Sequence, residues 1–172
     1  MSNLITLLAK TVIFISAFWA LSLISVLLHE FGHALGYMIA TGDRNWNIQI
    51  GQGKQLLKTK ALTVNMIVID GFFEPVENKI DSKTQLVMTL SGGPVMSLLL
   101  VAGLLVLKFG RTFLSSGIIA SGLIKALFYS ALFINFFILL WSVIPARGFF
   151  RNMDDVGTDV MQIIDALRDP RK

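Results

Sequence analysis

The chain has two histidines, and both stand in one five-residue segment, His29-Glu30-Phe31-Gly32-His33. On a helix, residues four apart project from the same face, so the imidazoles of His29 and His33 can converge on one metal ion. Glu30, about 100° round the helix, can reach a water on that metal. The pattern is that of metal-assisted hydrolysis. Zinc polarises a carbonyl and draws the pKa of its water toward ~7, and a glutamate takes the proton and later passes it to a leaving amine. The competing explanation, two interfacial histidines and a glutamate facing the cytoplasm, does not say why the only histidines fall into this pattern. Nor does it explain an unpaired acid in an apolar helix, which costs about 2.5 to 3.5 kcal/mol on membrane insertion. Catalytic zinc takes three protein ligands and keeps one open position. With both histidines used and no cysteine in the chain, the third ligand must be a carboxylate.

Two further segments carry a resemblance. Gly93-Pro94-Val95-Met96-Ser97 lies at the start of a second apolar run, and Asn135 through Ser142-Val143-Ile144-Pro145 closes a third. Together with the His-Glu-Phe-Gly-His element, these resemble the site-2 protease family of intramembrane zinc metalloproteases along most of the chain. The resemblance implies one zinc ion per chain, Glu30 as catalytic acid/base, and an aspartate after the third run as third ligand. Asp154, Asp155 and Asp159 could each fill that role. Asp159, with Ile163 and Ile164 four and five positions on, fits the family pattern best, although Val160 replaces the expected glycine. Asp155-Val156-Gly157 keeps a glycine but lacks the apolar pair. Each aspartate could instead be a helix cap or a solvated loop residue.

Ser97 and Ser142 stand where the family has asparagines. Their amide functions must pass to hydroxyls or to Asn135, which is the candidate substrate-binding residue and otherwise an interhelical hydrogen-bond donor. The implied activity is hydrolysis of peptide bonds in membrane-spanning or membrane-associated proteins near the cytoplasmic face. The alternative is a non-catalytic membrane protein that keeps zinc for structure or regulation; the departures at Ser97, Ser142 and Val160 favour it, and the intact Glu30 argues against it. A metal carrier would need more ligands along a route.

The elements that must position these residues are set by apolar runs. Of 172 residues, 54% are hydrophobic and 15% charged, a balance unusual for a water-soluble domain. Residues 4–40, 86–107 and 117–145 each reach the ~20 residues needed to span a bilayer. The expected fold is mainly α, a single integral membrane domain over residues 1–172. Between spans one and two, residues 45–76 alternate apolar and polar, with turn signals at Gly51-Gln52-Gly53 and Asp70-Gly71, and predict a small antiparallel β-sheet. A short helix is expected over 158–167.

Three spans put residues 41–85 and the C-terminal tail on one side. Most lysines and arginines fall there, so the positive-inside rule makes that side cytoplasmic and the N-terminus external, in the cell (inner) membrane. The first run lacks the basic start and cleavage site of a signal peptide, which predicts a retained helix. The net charge of +4 then reads as topology, with no nucleic-acid partner expected. Lys54, Lys58 and Lys60 could meet anionic lipid headgroups, and Phe149 and Phe150 are expected at the interface. A free edge of the sheet could hold an unwound substrate by strand addition. The connecting segment is too short to add a peptide-binding domain, so substrate choice would rest on the membrane core or on a regulatory membrane partner.

Overall fold

The computed structural model describes residues 2–109, 122–147 and 157–168. Among the described residues, three helices are long and apolar enough to cross a membrane: α1 (Ser2–Thr41), α2 (Lys83–Phe109) and α3 (Gly122–Val143). Their outward faces carry exposed Leu7, Ile15, Leu99, Val106, Phe133 and Phe136, side chains that suit hydrocarbon better than water. Between α1 and α2 lie strands β1 (Trp46–Lys58) and β2 (Leu62–Pro75), paired as a two-stranded antiparallel sheet. The short helix α4 (Asp159–Arg168) follows α3.

Element boundaries follow local chemistry. α2 begins three residues before its apolar run because Ser82 caps it: Ser82 Oγ accepts from Gln85 N at 3.2 Å, and Gln85 Oε1 accepts from Ser82 N at 3.2 Å. This reciprocal pair satisfies two otherwise orphaned donors. α3 ends at Val143, before Pro145, whose ring disfavours helical geometry at Ile144. Residues 117–121, the expected start of that span, lie outside the described residues.

The helices pack by close backbone approach. A Cβ on Gly32 would lie against the Gly92 carbonyl, and one on Gly92 against the Gly32 carbonyl, so α1 and α2 touch where both lack side chains. α2 runs unbroken through Pro94. α3 is tied to α1 by Asn135, whose Nδ2 donates to Ser25 Oγ at 3.0 Å.

The sheet differs from expectation in two ways. Gly51-Gln52-Gly53 does not end a strand: Gly51 and Gly53 take positive φ within β1, and the chain reverses after Lys58, where Thr59 N donates to Leu62 O at 2.8 Å. Asp70-Gly71 is likewise no turn. Ile67 pairs with Gln52 and Gly71 with Ile50, so three β2 residues lie across from Gly51 alone. That is a bulge, and it bends β2 where a turn had been read.

The sheet lies along α1, from Tyr37, whose ring meets Phe73, to Trp19, whose Nε1 donates to Met66 O at 2.8 Å. Eighteen residues of helix rise ~27 Å. Ile48 and Ile50 drive this docking, being buried against Val26 and Ala34 of α1.

Candidate metal centre and its cleft

His29 and His33 project from one face of α1 toward α2 and α4, as the helical spacing requires. Asp159, the first residue of α4, meets both: His29 Nε2 lies 3.3 Å from Asp159 Oδ2 and His33 Nε2 lies 3.4 Å from Asp159 Oδ1. One ligand atom from each of the three falls within 4.8 Å of the others, so the group could hold a metal ion. The separations fit a ligand set, being longer than the tightest ion-paired hydrogen bonds. Charge-assisted N–H···O bonds close to about 2.7–2.9 Å. Ligands about 2.0–2.1 Å from a tetrahedral ion stand ~3.3 Å apart. The observed distances match the second geometry.

The outer nitrogens are also engaged. His33 Nδ1 lies 2.9 Å from the Thr89 carbonyl, which can only accept, and 3.4 Å from Gly93 N; a proton on Nδ1 suits the shorter contact and would leave Nε2 to face a metal. His29 Nδ1 lies 2.8 Å from Ser97 Oγ. Both histidines therefore have the outer partner that metal-binding imidazoles require. Gly93 makes room for them: a Cβ there would meet His33 Nε2 and would stand 2.8 Å from His29 Cε1.

Asp159 is delivered by a clasp at the end of α3. Thr158 N donates to Ala146 O at 3.0 Å, and Thr158 Oγ1 donates to Ile144 O at 2.6 Å. Farther along α4, Arg147 Nη2 donates to both Asp165 oxygens at 2.6 Å. Burial pushes the Asp159 carboxyl up, but in the metal-free protein the His29 and His33 imidazoles, donating to it from Nε2, outweigh burial and hold the group low, at about 2. Asp159 is thus ready as an anionic donor.

Glu30 is buried and lines the same cleft, of about 150 Å3, between α1, β2, α3 and α4. It is pressed against β2: a Cβ on Gly71 would lie 2.6 Å from Glu30 Oε1. Ile69 and Asp70 of the bulge, with the adjoining Gly71, form one wall, and Phe137, Ile138, Trp141 and Ser142 of α3 form another.

Of the residues singled out from sequence, His29, Glu30, His33 and Asp159 come together. Asp154 and Asp155, the other candidate ligands, lie outside the described residues, as do Phe149 and Phe150. Asn135 does not line the cleft; its amide nitrogen is spent on Ser25 and on Ala131 O, and its buried Oδ1 has no hydrogen-bond partner among the described residues. Ser142 does line the cleft, with its hydroxyl turned back to Leu139 O at 2.9 Å.

Sequence reasoning missed three participants. Ser97 was read as a lost amide, whereas it serves as the partner of His29. Thr89 acts through its backbone carbonyl and leaves no mark in its residue type. Asp70 was assigned to a turn. No family model, curated protein or solved structure matches the chain.

Proposed function

We propose that this chain is a membrane-embedded zinc metalloprotease of the site-2 type, cleaving membrane-spanning or membrane-associated proteins near the cytoplasmic face of the cell membrane. The observation that carries the reading is the convergence of His29, His33 and Asp159 at a cleft that His29, Glu30 and Asp159 line and a β-strand walls. Two imidazoles and a carboxylate suit zinc, and the remaining coordination position suits a catalytic site. Bound there, zinc would acidify water and polarise a peptide carbonyl.

The chain's own residues supply the rest. Glu30, facing the cleft, accepts a proton from the attacking water and delivers it to the leaving amine. Ser97 and Thr89 fix the two imidazoles. The bulged wall of β2 offers backbone groups to an extended substrate, whose helix must unwind before its carbonyl can react. Asn135, held by Ser25, sets α3 against α1 so that Trp141 and Ser142 face the site. The N-terminus is external and the C-terminus cytoplasmic in this scheme, with lipid around the three spans.

The test uses the full chain reconstituted in vesicles with a panel of single-span membrane peptides. Wild-type protein and Glu30→Gln should each hold one zinc per chain, while only wild type cleaves. Identical peptide sets from both would leave a non-catalytic zinc protein.

A further inference from the structure

The β1–β2 register shifts between Ile50 and Gln52, and the extra β2 residues there turn an acid toward the site. Three residues, Val68, Ile69 and Asp70, occupy the stretch opposite the single residue Gly51, and a Cβ on Gly51 would press on the Ile67 carbonyl. Bulges re-aim side chains, and this one gives Asp70 to the cleft wall beside Glu30. Asp70 is not one of the three converging metal ligands. The partner recorded for its carboxylate is a neutral amide, Gln52 Nε2, which orients the group without balancing its charge.

The charge pattern of the cleft gives this geometry its meaning. Its lining includes three carboxylates, Glu30, Asp70 and Asp159, and no lysine or arginine among the described residues. With a divalent ion held by Asp159, Glu30 and Asp70 remain as carboxylates with no described basic side chain in the lining. Val26, Ile69, Phe137, Ile138 and Trp141 line the cleft beside the neutral polar Ser142, Thr158 and Gln162, so none of these side chains balances the charge of Asp70.

We infer that Asp70 is a specificity-determining residue that pairs with a lysine or arginine side chain of the substrate segment lying along β2. The substrate class is then a peptide with a basic residue close to the scissile bond. Membrane-spanning segments carry such residues on their cytoplasmic flank. The inference rests on the proposed protease activity, and complementary charge works here mainly by rejecting wrong partners.

Two membrane peptides differing at one position, lysine or glutamate, are offered to wild type, Asp70→Asn and Asp70→Lys, and kcat/KM is taken as a ratio. Wild type should favour the lysine peptide by about tenfold or more, Asp70→Asn should lose most of that preference, and Asp70→Lys should invert it. An equal ratio in wild type and Asp70→Asn overturns the inference. A parallel arm measures binding of both peptides to the Glu30→Gln protein with and without Asp70→Asn, by fluorescence anisotropy in detergent. A lysine preference that needs Asp70 in this arm supports the pairing even where no cleavage occurs, and its absence there overturns it. Failure of cleavage alone counts against the protease reading and not against Asp70.

Discussion

Ser97 Oγ lies 2.8 Å from His29 Nδ1, although 68 positions separate the two residues. The contact fixes the imidazole so that Nε2 faces Asp159, and both members are buried. Replacing Ser97 with alanine leaves a buried nitrogen without this partner and frees the ring to turn. Such outer partners are worth about 10- to 100-fold in metal affinity. Ser97→Ala should therefore weaken zinc binding by that factor, measured by competition with a chromophoric chelator. Thr89→Ala should leave affinity near wild type, because His33 uses the Thr89 backbone carbonyl, which the substitution keeps.

Gly93 is the second residue of α2 on which the centre depends. Its missing side chain is the space occupied by the two imidazoles, with His33 Cε1 only 2.6 Å from where a Cβ would stand. Alanine favours helix, so Gly93→Ala should keep helical content by circular dichroism. Overpacking costs about 1–3 kcal/mol, and here it falls on the metal ligands. Zinc affinity should drop by about 5- to 150-fold. Gly103→Ala, where nothing lies within 4 Å, is the matched control and should bind zinc as wild type does.

What the sequence made legible was the local part of this site. His29, Glu30 and His33 are related by helix geometry alone, and three apolar runs of spanning length can hardly be misread. Asp159 was legible only through the pattern of Ile163 and Ile164 that follows it. Ser97, Thr89 and Gly93 became partners through the crossing of α1 over α2, which depends on Gly32 meeting Gly92 and not on any spacing within one helix. The capping box at Ser82 and Gln85 was written in the chain, but an apolar-run boundary passes over it. The sheet misled for a physical reason: Gly51 and Asp70-Gly71 carry turn chemistry, yet long bent strands absorb the same residues in bulges.

Asp159 also predicts an acid response. In the folded protein its carboxyl is held at about 2, below the ordinary ~3.9. A depressed carboxyl stabilises the docked state fully above its unfolded pKa, and that contribution is lost as pH falls from there through about 2. In metal-free protein α4 should therefore loosen between about pH 4 and pH 2. Hydrogen exchange over residues 159–168, with Trp141 fluorescence as a second probe, reads the change. Asp159→Asn should lack that acid step; an unchanged step in the variant would assign it to another group.

The remaining prediction concerns how a peptide bond is presented to Glu30. A substrate strand beside the bulge would need backbone donors from β2, and proline removes one without touching a metal ligand. Ile69 is 56% exposed and lines the cleft, so its side chain has little packing to lose. Ile69→Pro should retain one zinc per chain and lose cleavage by about a hundredfold, as expected when a misplaced substrate costs orientation. Ile69→Ala keeps the N–H and should retain most activity, which separates the backbone from the side chain. Equal cleavage by the proline and alanine variants would mean that this stretch of β2 covers the site without holding the substrate.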